Sequence, residues 1–309
     1  MPEGLSHLCR IRRLGAGEVS SLRITYAAPQ VAEGTSIYFS GSVWGDGVHR
    51  DPYPYNNSRS HTVTVASLES YAPLLIPVYV RDAPGAMGSR WKSELWAFAD
   101  SNDTMLIFPI SWECSILCPP APPLGHGISP RFMTQIEPGF SAIYGALLYV
   151  PRTAADRLHT NLRITDTSEN AGSAGTEVPV VGESDLFTTN LHLLGVPQGE
   201  RFRNTLRIYD VDANAGAAVE VFIINRTNTV LHQQTITFIT TGHRHPPTGA
   251  PLYPGYIEIP IEQVVTDHGP AGRGELRIQI EPRSPQLRFW AFVATTDNDT
   301  QQVTLVTPR

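Results

Sequence analysis

The sequence predicts an all-β protein, and three observations carry that prediction. Short stretches of alternating or β-branched residues recur along the 309 positions, each about five to eight residues long and bounded by Gly, Pro, Asn or Asp, as strands are. Helix-period runs with caps are nearly absent. The chain is punctuated by 26 prolines and 25 glycines, the turn content expected of a β-sandwich. Hydrophobic residues at 41% against 17% charged give a globular composition, far from that of disordered chains. The length suffices for two or three domains, each with its own core.

In chain order the predicted strands are "SLRITYA", "HTVTVASL", "LIPVYVR", "ELWAFA", "TMLIFPI", "NLRIT", "TLRIYDV", "VEVFII", "QQTITFITT", "YIEIPI", "ELRIQIE", "FWAFVAT" and "QQVTLVT". Two short helical candidates, "RTAADRL" and "PIEQVV", interrupt them. Two stretches look like copies of one another: "WAFADSNDTMLIF" and "WAFVATTDNDTQQVTLV". In each, Trp and Phe flank an Ala, an Asn/Asp turn follows and a second strand closes, so both read as β-hairpins. A strand containing Leu-Arg-Ile recurs at 20–26, 159–165, 203–209 and 274–280, which suggests sandwich modules sharing strand grammar and no solenoid. Breaks at "RDAPGAMGSR" (81–90) and "VVGESD" (180–185) divide the chain into expected modules at 1–80, 81–185 and 186–309. The Pro-rich "CPPAPPLGHGISP" (118–130) excludes a central strand and is expected as a long loop.

Residues 83–309 resemble a family of uncharacterised tandem β-sandwich modules, immunoglobulin-like in kind, found in predicted secreted or surface proteins of bacteria. The resemblance is carried by "APGAMGSRWKSELWAF" (83–98), "IEPGFSAIYGALLYVP" (136–151), "ERFRNTLRIYDVDANAGAAVEVFI" (200–223) and "FWAFVATTDNDTQQVTLVTP" (289–308). It implies a fold and an extracellular or cell-surface location, and it carries over no activity and no catalytic residue.

With 23 basic against 29 acidic residues and a net charge of -6, no basic field is available for a phosphate backbone, so nucleic acid is not an expected partner. No run approaches the roughly 20 apolar residues of a membrane-spanning helix, and "MPEGLSHLCRIRRLGAGEVSS" has no apolar stretch of the signal-peptide kind. Cys114 and Cys118 in "CSILC" have the wrong gap for a zinc knuckle or a thioredoxin-like motif. They read as a small-loop disulfide or as two free thiols.

Each candidate site has a plainer reading beside it. In "DVDANAG", Asp210, Asp212 and Asn214 fall on alternate positions of a calcium loop, but Gly216 and Glu220 miss the sixth and twelfth positions that such a loop requires. A polar hairpin turn accounts for the stretch better. The tips "DSNDT" and "TTDNDT" are explained by turn chemistry. His243 and His245 in "GHRHPP" could ligate zinc or copper, yet no third ligand is identifiable. Trp44, Asp46, His49, Tyr53 and Tyr55 in "SVWGDGVHRDPYPYNN" suit a glycan or a protein partner, or a loop folded on its own aromatics. Four triplets starting at Asn56, Asn102, Asn225 and Asn298 fit the glycosylation acceptor pattern, which also arises by chance in Asn/Thr-rich turns. No nucleophile elbow, zinc-protease helix, Walker loop or dinucleotide fingerprint is present.

The sequence therefore points to a non-enzymatic structural or interaction protein of the bacterial cell surface. It would be a subunit of a larger assembly, of itself or with other subunits, using no cofactor and joining through sheet edges such as "QQVTLVTPR". The alternative is a carbohydrate-binding module using the aromatic loop around Trp44.

Overall fold

The computed structural model describes residues 36–42, 58–64, 68–85, 88–103, 105–107, 126–137, 142–168, 175–243, 250–265 and 274–308. The chain is mostly β-strand in antiparallel sheets with little helix. Strands β1 (Ser36–Ser42) and β2 (Ser58–Thr64) form an antiparallel pair of their own.

The next unit contains β3 (Tyr71–Ile76), β4 (Ala83–Pro84), β5 (Arg90–Ala99), β6 (Met105–Ile107), β7 (His126–Ile128), β8 (Met133–Ile136), β9 (Ala146–Pro151), β10 (Leu158–Asp166) and β11 (Thr176–Val178). One sheet runs β11-β10-β5-β4, with β8 also paired to β5; opposite lie the pairs β3-β9 and β6-β7. Alternation on a pleated strand sends every second side chain inward. Leu95 and Ala97 of β5, Leu162 of β10, Leu74 and Ile76 of β3 and Leu148 and Val150 of β9 meet in one core. Strand β3, which the sequence reading set at the end of the first module, is thus paired with β9 and shares this core.

The last unit contains β12 (Leu191–Gln198), β13 (Phe202–Asp210), β14 (Ala218–Ile224), β15 (Val230–Thr237), β16 (Gly255–Pro260), α1 (Ile261–Val264), β17 (Gly274–Pro282), β18 (Phe289–Asp297) and β19 (Val303–Val306). Two four-stranded sheets, β12-β17-β14-β15 and β16-β13-β18-β19, face each other across a core that includes Leu193, Leu206, Ile208, Val221, Ile278 and Ala291. The helical candidates are as short as expected: "RTAADRL" gives a 3-10 turn over Arg152–Arg157, and "PIEQVV" gives α1.

The two copied stretches part ways. β18 and β19 form the expected hairpin, with Thr296 opposite Val303. The earlier copy is not a hairpin, because β5 bonds to β4, β8 and β10 while β6 bonds to β7 in the facing sheet. Its Asn/Asp turn is an arch across the core. What the copies do share is a partner: each Trp-Ala-Phe strand lies antiparallel to a Leu-Arg-Ile strand, β5 to β10 and β18 to β13. The three described Leu-Arg-Ile strands, β10, β13 and β17, all sit between two neighbours, and their leucines Leu162, Leu206 and Leu276 are buried.

Nearly continuous apolar runs mark strands buried on both faces. In "ALLYV" and "FWAFV" one set of side chains enters its own core, and the other set meets between the units. Leu75, Leu147 and Tyr149 of the β3-β9 pair pack there on Tyr209, Trp290 and Phe292. Tyr209 Oη donates to the Pro77 carbonyl at 2.7 Å, and Tyr149 Oη to the Pro251 carbonyl at 2.7 Å. The connecting segment is bonded at both ends, Val181 to Leu75 and Phe187 to Phe289. At roughly 1.5–3 kcal/mol for each large apolar side chain buried, six such residues contribute on the order of 10 kcal/mol. That is ample to make the units move together. Gly145, at φ +91°, lies at this junction, where an added Cβ would come within 3.0 Å of Pro254 and Tyr209 side-chain atoms.

Candidate functional site

Strand addition requires a sheet edge with free backbone groups, and among the described residues the two sheets of the last unit end in four strands, β12, β15, β16 and β19. Strand β19 is an edge, as the sequence suggested for "QQVTLVTPR". It has four residues, and the Thr176 hydroxyl donates to its Val303 carbonyl at 2.8 Å. Strand β16 is met on its outer side by a bridge between Ile239 and Tyr256. Strand β12 carries a register shift between Leu194 and Val196, with Gly195 at φ +77° and Pro197 just beyond. Short length, bulges and proline are the devices that protect edges.

Strand β15 is long and free of proline, and its bulge at Leu231, opposite Ile223 and Ile224, leaves His232–Thr237 in regular register. Its eight residues, "VLHQQTIT", include no proline and no Asp, Glu, Lys or Arg. Among the described residues it bonds to β14 alone. Val230 is 48% exposed, and Gln233, Gln234 and Thr235 are exposed as well. The register places Ile236, Gln234 and His232 opposite Val219, Val221 and Ile223, whose side chains enter the core. Thr235 and Gln233 stand on the outer face beside Glu220 and Phe222, and Gln233 Nε2 donates to Glu220 Oε1 at 2.8 Å. At about 3.4 Å per residue the regular run from His232 to Thr237 is about 20 Å long.

The other candidates of the sequence fall as follows. Trp44, Asp46, His49, Tyr53, Tyr55, Cys114 and Cys118 lie outside the described residues. The "DVDANAG" stretch connects strands of opposite sheets, so it is an arch and not the expected hairpin turn. Its carboxylates are already engaged. Asp210 is buried and accepts the backbone N–H groups of Asp212 at 3.0 Å and Asn214 at 2.9 Å. Burial pushes its carboxyl up, against the pull of those two bonds. Asp212 accepts Arg288 Nε at 3.0 Å and a terminal guanidinium nitrogen at 2.5 Å.

Arg288 also binds Glu183 at 2.7 Å, and Glu183 in turn pairs with Arg152. This chain of charges links the 3-10 turn after β9, the connecting segment and the last unit. The Asp212 bond above all raises the Arg288 guanidinium further above its usual range. Asp297 caps the last hairpin by accepting the N–H groups of Asp299 at 2.9 Å and Thr300 at 3.2 Å, and Arg201 beside it holds its carboxyl below the usual range. Asn225 Oδ1 accepts the N–H of Thr227 at 3.0 Å and of Thr229 at 2.9 Å. His243 packs edge-on to Tyr253 at 6.1 Å; His245 is outside the described residues.

No group of three or more metal-ligating side chains occurs among the described residues. Among them, too, no helix is long and apolar enough to cross a membrane. Comparison of the chain with protein-family models, with curated proteins and with solved structures gives no match. The sequence reading chose β19 as the exposed edge and missed β15. The signal available was "LHQQTIT" itself, a strand-length run without charge or proline.

Proposed function

We propose that this chain is a non-enzymatic structural or interaction protein that enters larger assemblies by strand addition at β15, the simplest partner being a second copy. The observation that supports this is the uncharged, proline-free edge of β15, regular over His232–Thr237, next to edges that are short, bridged or broken by a glycine and a proline. Two β15 edges brought together antiparallel would extend the β12-β17-β14-β15 sheet across both copies, with main-chain hydrogen bonds supplying the contact. A place on the bacterial cell surface belongs to the same proposal and rests on the family resemblance of residues 83–309. The immunoglobulin-like description is proposed for the architecture only, two antiparallel sheets around one core. In the last unit the first strand, β12, lies beside the sixth, β17, whereas in an immunoglobulin domain the first strand lies beside the second.

Light scattering over a range of protein concentrations tests the reading. The wild type is expected to associate as concentration rises, and a Gln233→Lys/Gln234→Lys variant with unchanged Tm is expected to stay monomeric, since like charges facing each other across a strand pair repel. A wild type that is monomeric throughout, or a variant that associates equally well, would overturn it.

A further inference from the structure

Between the units the packing runs out at one end. On the outer face of the β16-β13-β18-β19 sheet, the row Tyr209 and Trp290 is followed by Arg207 and Phe292, then by Thr205 and Ala294, then by Arg203 and Thr296. The first rows are filled by large side chains against the β3-β9 pair. At Thr205 and Ala294 the side chains become small and a cleft of about 420 Å³ opens, within the roughly 300–1,000 Å³ of small-molecule sites. Its far wall comes from the middle unit, with Trp91, Ile164 and Val178 facing Ala294 and Leu305.

The polar groups in this apolar cleft are unbalanced in sign. Arg203 and Arg207 line it, and no Asp or Glu does so among the described residues. Arg207 is neutralised by Glu258 at 2.9 Å and also donates to the Ile143 carbonyl at 3.2 Å. Arg203 donates to Gln301 Oε1 at 3.0 Å, an uncharged acceptor. The Nε atoms of both arginines are buried and without a hydrogen-bond partner among the described residues. A buried guanidinium N–H lacking an acceptor is costly, and a carboxylate is the acceptor that suits it best.

We propose that this cleft binds a small amphipathic carboxylate, with its apolar body between Trp91 and Leu305 and its carboxylate at Arg203. The site is independent of β15, so assembly and ligand binding stand or fall separately.

Calorimetric titration of the full chain with octanoate, octanol and octylammonium at fixed ionic strength tests the assignment. Octanoate should bind at one site, about tenfold or more tighter than either chain-length match, as a charge-assisted bond requires. Arg203→Gln should remove that preference while octanol binding persists, and Ala294→Phe should weaken all three by filling the cleft. Thr205→Leu fills the same space should Ala294→Phe fail to fold. Absence of saturable octanoate binding, equal affinity for the three head groups, or an unchanged preference in Arg203→Gln would overturn the proposal. So would binding of a hydrophobic pentapeptide with a free C-terminal carboxylate in place of octanoate.

Discussion

Tyr209→Phe tests the junction of the two units with two separable readouts. The phenol is buried, and its hydroxyl donates to the Pro77 carbonyl across the interface. Removing the hydroxyl leaves that buried carbonyl without its donor, at a cost of about 1–3 kcal/mol near neutral pH. The second readout is alkaline. Burial pushes the Tyr209 phenol up to about 12 from its ordinary value of 10.0, so the folded state holds the proton more tightly than the unfolded chain does. A raised value of this kind contributes stability that is complete below pH 10 and lost as pH climbs toward 12. The loss amounts to about 1.4 kcal/mol by pH 11, and roughly twice that at completion. Burial also raises Tyr79, Tyr253 and Tyr256, so the informative quantity is the difference between wild type and variant. Urea unfolding at pH 9 and pH 11 should show the advantage of wild type over Tyr209→Phe shrinking by about 1.4 kcal/mol. A constant difference across that interval would refute the burial of a protonated phenol at this junction.

Other substitutions have equally definite outcomes. Leu162→Ala and Leu206→Ala remove fully buried side chains at the same place in the Leu-Arg-Ile strands, and each should cost about 2–5 kcal/mol by thermal or urea unfolding. Arg163→Ala, exposed beside Leu162, should stay within about 0.5 kcal/mol. Gly145→Ala meets both a positive φ and the 3.0 Å approach of Pro254 and Tyr209, so it should destabilise by more than about 1 kcal/mol. Arg288→Met cuts the links to Asp212 and Glu183; with the network partly exposed to solvent, the loss should be about 1 kcal/mol and should shrink in high salt.

Strand positions were legible because their causes are local. The alternation in "NLRIT", "TLRIYDV" and "ELRIQIE" places Leu162, Leu206 and Leu276 inside, and that is where they lie. The arch after β5 was not legible, since Asn102 and Asp103 turn the chain without saying which sheet it enters next. The same limit applies to Trp96 and Trp290: both follow identical local grammar, yet Trp96 is half-buried on an outer face and Trp290 is buried between the units. Pairing of β3 with β9 joins residues about 75 positions apart, and no local pattern announces it. The edge status of β15 and the void at Thr205 and Ala294 depend in the same way on what packs nearby, and only topology supplies that.

Strand addition at β15 is tested most directly by hydrogen exchange of the backbone amides at low and high protein concentration. Self-association through this edge predicts that amides within Val230–Thr237 slow as concentration rises, while those of β12 and β19 keep their rates. Association detected by scattering with β15 exchange unchanged would contradict it.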